Sequence, residues 1–217
     1  MKKIIAFNGS PRRDRNTATL LKYALDGAKS VGAETELIHL ADLNFRGCVS
    51  CFLCKLKKNN HPGMCFYKDD LTPILEKIVE SDAIVLGSPI FVGEVTGMMR
   101  NLMERLFFMA ITYDNTPTRS EFKGSVNAGF IYTMNVPKDN SDLYKHIYEL
   151  NDFFAKRLNG KIVEHYISAD TYQFKDCADY ANYNASMFDE KQKAQILKNQ
   201  FPIDCNNAFE LGKRLVK

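Results

Sequence analysis

Two stretches decide the fold: Lys3-Ile4-Ile5-Ala6-Phe7-Asn8-Gly9-Ser10-Pro11 and Ala83-Ile84-Val85-Leu86-Gly87-Ser88-Pro89. Each is a short apolar run that stops at a Gly-Ser-Pro turn. A short run without polar alternation reads as a strand buried on both faces of a parallel sheet. After each turn the pattern changes to helical spacing. Ala18, Leu20, Leu21, Tyr23, Ala24 and Leu25 mark a helix over 17–28, with Asn16 or Thr17 as its cap, and Thr96 opens a helix to about Met109.

Between them, 34–40 alternates like a strand, and 71–79 reads as a helix capped by Asp70. Beyond, 126–133 and 161–167 are strands around a helix at 142–157, and 201–217 resumes a helical pattern. Strands alternating with helices predict an α/β fold with a five-stranded parallel sheet covered on both faces, for which the doubly wound orders, 2-1-3-4-5 among them, lead, and a C-terminal helical extension at 190–217. Two polar segments, 111–125 and 168–190, are long enough to be functional, intersubunit or mobile loops.

The chain has 217 residues, 45% hydrophobic and 25% charged, the balance of one globular domain over 1–217. A net charge of +3 gives no footprint for nucleic acid or a membrane surface. No apolar run approaches the roughly 20 residues of a bilayer-spanning helix. The short apolar start does not read as a secretory leader, so the expected location is cytoplasmic. Four of the six cysteines, Cys48, Cys51, Cys54 and Cys65, share one stretch.

Where the first strand feeds its helix, Ser10, Arg12, Asn16, Thr17 and the first helical N–H groups suit a phosphate. A tight turn with a helix cap accounts for that loop equally well. The second loop, 87–97, is apolar with glycines at 87, 93 and 97, which suits a flat aromatic ligand. In the order 2-1-3-4-5 the two loops share the crevice at the switch point.

These features together resemble the NAD(P)H-dependent FMN reductase family: Asn-Gly-Ser-Pro-Arg with Asn16-Thr17, Cys-x-x-Cys-x-x-Cys, Asp69-Asp70 before a helix, and Gly-Ser-Pro-Ile-Phe-Val-Gly with Gly97. More narrowly they are similar to its iron–sulfur flavoprotein branch, over about residues 1–135. The resemblance implies a flavodoxin-like three-layer sandwich with strand order 2-1-3-4-5, bound FMN, and electron transfer from NAD(P)H to a small acceptor such as a quinone, nitro compound, metal or flavin. By position, Ser10, Arg12, Asn16, Thr17 and Ala18 would hold the FMN phosphate. Pro89, Ile90, Phe91, Val92 and Gly93 would flank the ring, and Thr133, Met134 and Asn135 would form a third loop. A homodimer or homotetramer is expected, with the two long loops completing the acceptor face across a dimer. No catalytic acid or base is required, because the flavin carries the chemistry. The rival readings are an FMN or FMN/[4Fe–4S] electron carrier and a non-enzymatic flavodoxin-like binding module.

Cys48, Cys51, Cys54 and Cys65 admit free or redox-active thiols, a [4Fe–4S] cluster, zinc with His61, or a disulfide. Free thiols are the leading reading, since ten residues separate Cys54 from Cys65, a longer gap than in compact cluster motifs. Cys177 and Cys205 read as plain thiols. Tyr113, Phe130, Tyr132 and Tyr172 read as core before acceptor pocket, and His165 as a sheet histidine held by a partner.

Overall fold

The computed structural model describes residues 1–58, 63–175 and 179–217. Its sheet is built from β1 (Lys3–Asn8), β2 (Glu34–His39), β3 (Ala83–Phe91), β5 (Val126–Thr133) and β6 (Asn159–Ser168), all parallel, in the order β2-β1-β3-β5-β6. A two-residue β4 (Glu94–Val95) folds back antiparallel on the end of β3. Without that hairpin the order is the expected 2-1-3-4-5.

β3 runs on past the Gly-Ser-Pro that reads as its end. Gly87, Ser88 and Pro89 keep register with Ile131, Tyr132 and Thr133. Proline lacks a donor but has a φ compatible with extended backbone, so the strand continues where no N–H is needed. β6 likewise starts at Asn159, earlier than the apolar pattern indicates.

Alternation along β1 builds two cores. Ile4 and Ala6 face α1 (Asn16–Ser30) and α7 (Phe201–Leu215), while Ile5 and Phe7 face α2 (Thr72–Val79) and α3 (Gly97–Ala110). α4 (Lys145–Ala155) covers the second face beside β6 and contributes Tyr148 to that core. Phe130 and Tyr132 lie in the same core, fully buried. The C-terminal helix packs on α1 through glycines. A Cβ on Gly27 would lie 1.9 Å from the Phe209 carbonyl oxygen, and one on Gly212 would lie 1.8 Å from that of Ala24.

Two capping expectations fail. The residue that precedes α1 is Arg15, in extended backbone and without a side-chain cap. Asn16 and Thr17 are drawn elsewhere: Asn16 Nδ2 donates to the Tyr172 carbonyl at 2.7 Å, and the Thr17 hydroxyl meets that of Thr133 at 2.8 Å. Asp70 does not cap α2; its carboxylate accepts from the Asn44 N–H at 2.7 Å.

Asp69 has a different partner again. It pairs with Arg105 of α3, whose side chain is 1% exposed, through Nη1 at 2.5 and 2.7 Å. Arg105 Nη2 donates to the Tyr67 carbonyl at 2.8 Å, so this buried cation fixes the chain between the cysteine stretch and α2. Burial opposes the Arg105 charge, and Asp69 and Cys65 outweigh it, so the guanidinium is held above its ordinary pKa.

Candidate functional site

The carboxyl ends of β1, β3 and β5 open into a cleft of about 250 Å³. Ser10, Arg12, Arg15, Asn16 and Thr17 line it from the first loop, Pro89, Ile90 and Phe91 from the second, Thr133, Met134 and Asn135 from the third, and Thr171 and Gln173 from a later segment. This is the switch point, where β1 and β3 lie side by side and the connections diverge to opposite faces.

The first loop is shaped by Asn8. Its Oδ1 accepts from the Ser10 N–H at 3.0 Å, its Nδ2 donates to the Arg12 carbonyl at 3.1 Å, and the Ser10 hydroxyl accepts from the Arg12 N–H at 3.1 Å. Such side-chain-to-backbone turns hold a loop against the helix it precedes. The helix start has neither a capping side chain nor an acidic residue in its first turn. Its N–H groups and the positive end of the helix dipole are therefore left to an anion, with Arg12 and Arg15 beside them.

The second loop is tied to the first. The Gly9 N–H donates to the Gly87 carbonyl at 2.8 Å, the Thr96 hydroxyl to the Gly9 carbonyl at 2.7 Å, and the Thr96 N–H to the Ser88 hydroxyl at 3.0 Å. Thr96 also caps α3. Phe91 stands half exposed at the rim and, with Pro89 and Ile90, makes the apolar side of a cleft whose other end is polar. On the third loop, Asn135 Oδ1 is buried and has no hydrogen-bond partner. A cleft with an anion seat at one end and an apolar wall with a waiting acceptor at the other suits a phosphate-bearing ring compound.

Ten of the thirteen sequence-derived cofactor residues line this cleft. Ala18 does not; it is fully buried against the sheet. Val92 and Gly93 do not either. They form the tip of the β3–β4 hairpin in left-handed backbone, φ 49° and 84°, with Val92 wholly in solvent. Arg15, Thr171 and Gln173 were missed by the sequence reading. The charge run Arg12-Arg13-Asp14-Arg15 signals the first, whereas nothing local marks the other two. Tyr113 lies on the surface, stacked on Phe52, and Tyr172 packs with Tyr180. His165 Nδ1 meets Asp152 at 2.7 Å, the held sheet histidine expected.

Away from the cleft, Cys48, Cys51, Cys54 and Cys65 line one small pocket of about 20 Å³ with Phe52, Phe66, Phe108 and Arg105. Cys48 and Cys51 are exposed, Cys54 is buried, and burial pushes the Cys54 thiol above its ordinary pKa. Among the described residues no three His, Cys, Asp or Glu side chains are arranged to hold one metal ion. His61 and Cys177 lie outside the described residues. The segment 111–125 contributes nothing to the cleft lining; the Ile111 carbonyl accepts from Lys55 beside the cysteine stretch.

The parallel sheet with a three-loop cleft at its switch point defines a flavodoxin-like protein. Solved structures agree on the fold: an NAD(P)H:quinone oxidoreductase from Methanothermobacter marburgensis superposes at TM-score 0.69 with 15% identity, covering 99% of this chain and 96% of its own. An FMN-dependent NADH-azoreductase from Bacillus anthracis, in complex with FMN, does so at 0.63 with 14% identity over both whole chains. Residues 2–137 match the model of the NADPH-dependent FMN reductase family, and the chain belongs to that family. Within it the similarity is to iron–sulfur flavoproteins. One from Archaeoglobus fulgidus is 45% identical over 103 residues, 48% of each chain, and one from Methanocaldococcus jannaschii is 37% identical over 127 residues, 58% of this chain and 62% of its own. The matched part thus spans about half the length of the first of these relatives and three fifths of the second.

Proposed function

We propose that the chain is an FMN-dependent oxidoreductase that passes electrons from NAD(P)H through FMN in the cleft to a small acceptor. One observation carries this reading: an uncapped helix start, with Ser10, Arg12 and Arg15 beside it, opens into the same cleft as Pro89–Phe91 and the unpartnered Asn135 Oδ1. The residues fit the group. Ser10, Arg12, Asn16 and Thr17 at the α1 start would hold the phosphate, Pro89, Ile90 and Phe91 would flank the ring, and the unpartnered Asn135 Oδ1 would be available as an acceptor. Bound there, FMN supplies two-electron chemistry with a nicotinamide and transfer onward to a quinone, nitro compound, metal or flavin. The protein would anchor the phosphate, pack one face of the ring against the Pro89–Phe91 segment, and leave the rim at the half-exposed Phe91 open for the second substrate. A homo-oligomer in a cytoplasmic setting belongs to the same reading. Among the described residues no helix is long and apolar enough to cross a membrane.

Steady-state oxidation of NADPH in the presence of FMN and a quinone tests the activity. Turnover that falls with Arg12→Ala supports it; FMN bound without turnover favours an electron carrier, and no FMN uptake favours a binding module. A carrier with FMN and [4Fe–4S] is the second reading, favoured by four cysteines around one pocket. The donor set fits a cluster, while the pocket of about 20 Å³ does not give it room without outward movement of the thiols. Iron and sulfide counts on anaerobically purified protein decide between cluster and free thiols.

A further inference from the structure

Lys193, in α6 (Glu190–Gln195), is a buried charge, 3% exposed. Its Nζ pairs with the carboxylate of Asp170, itself 8% exposed, and donates to the Asn135 carbonyl at 3.1 Å. The ammonium also stands 5.3 Å from the centre of the Phe188 ring. A buried ammonium keeps its charge only where such partners replace water, so its position is tightly determined.

What it fixes leads to the cleft. Asp170 is in left-handed backbone, φ 56°, and its N–H donates to the Val136 carbonyl at 2.8 Å. Thr171 then bonds the Met134 carbonyl twice, through N–H at 2.9 Å and hydroxyl at 3.0 Å. The next two carbonyls reach the anion seat: Tyr172 O accepts from Asn16 Nδ2 at 2.7 Å, and Gln173 O accepts from Arg12 Nη1 at 2.6 Å. Arg12 is otherwise an exposed side chain with many rotamers.

We propose that Lys193 is a positioning residue for the cofactor's phosphate end: through Asp170 it holds residues 171–173 as an outer strap that orients Arg12 and Asn16 toward the anion. The inference rests on the flavin reading and deepens it, assigning FMN selectivity over riboflavin to a segment outside the family-matched region 2–137. Lys193 serves the site from one chain, because the strap lies on the cleft of its own chain.

The test is the pair of dissociation constants for FMN and riboflavin, read by quenching of flavin fluorescence, in the wild type, Lys193→Met and Lys193→Arg. With the strap held only a tenth of the time, Lys193→Met binds FMN about tenfold more weakly, riboflavin changes by less than about twofold, and Lys193→Arg restores most of the FMN affinity. Equal weakening of both flavins, or no weakening of either, overturns the strap while leaving the flavin site intact. Failure of the wild type to bind FMN overturns the flavin reading itself and this inference with it. Where circular dichroism shows Lys193→Met unfolded, Thr171→Val decides: a selective loss of FMN supports the strap, and an unchanged FMN-to-riboflavin ratio overturns it.

Discussion

Replacing Asp69 by asparagine keeps the side-chain shape and removes the charge that Arg105 faces. The guanidinium is 1% exposed and the carboxylate 11%, so water cannot replace the lost partner. Removing one member of a buried pair costs about 3–5 kcal/mol, and asparagine, which still accepts a hydrogen bond, sits at the low end, about 3 kcal/mol. For a chain of 217 residues each kcal/mol moves the melting temperature by roughly 2–4 °C, giving a drop of about 6–12 °C. Differential scanning calorimetry measures it. The double variant Asp69→Leu with Arg105→Met removes both charges but also leaves the Leu71 N–H and the Tyr67 carbonyl without their partners, so it is expected to regain only part of the loss. A single variant melting within about 1 °C of wild type refutes the assignment of this pair as the clamp between the cysteine stretch and α2.

Three further outcomes follow from the same geometry. Gly212→Ala places a Cβ 1.8 Å from the Ala24 carbonyl oxygen and forces α1 and α7 apart, so it costs about 3 kcal/mol or more by urea unfolding despite the better helix propensity of alanine. Thr17→Val leaves the buried Thr133 hydroxyl without its 2.8 Å partner; it costs about 1–3 kcal/mol and weakens FMN in calorimetric titration, whereas unchanged stability and affinity would contradict the link between the first and third loops. Iodoacetamide labelling resolved by mass spectrometry should modify Cys48 and Cys51 first. Because burial raises the Cys54 pKa, its thiolate fraction at neutral pH is smaller than that of an ordinary thiol, and its labelling rate keeps rising well into the alkaline range; equal rates for Cys48 and Cys54 at neutral pH would contradict its burial.

The sheet order and most of the cleft were legible because both are local. Buried strands announce themselves as apolar runs, and loops at the switch point must come from the ends of strands already placed, which brought Ser10, Asn16, Pro89 and Asn135 to one cleft. Ala18, Val92 and Gly93 lie off the cleft lining because motif adjacency does not say which way a side chain turns: one falls on the core face of α1 and two at a hairpin tip that the sequence reads as part of a single loop. Asp69 and Asp70 look like helix caps, since nothing nearby in sequence announces Arg105 as a partner. Thr171, Gln173 and Lys193 carry no local signal at all. Their role depends on pairing with Met134, Asp170 and Arg12, contacts between distant parts of the chain that periodicity and spacing do not encode.

The central claim is that the cleft at the α1 start holds a flavin reducible by nicotinamide. The most direct measurement is the visible spectrum of anaerobically prepared protein titrated with FMN and then with NADPH. The account predicts saturation at one FMN per chain, bleaching of the flavin band by NADPH and its return on adding a quinone. A protein that takes up no FMN, or that holds it unreduced by either NADPH or NADH, contradicts the account.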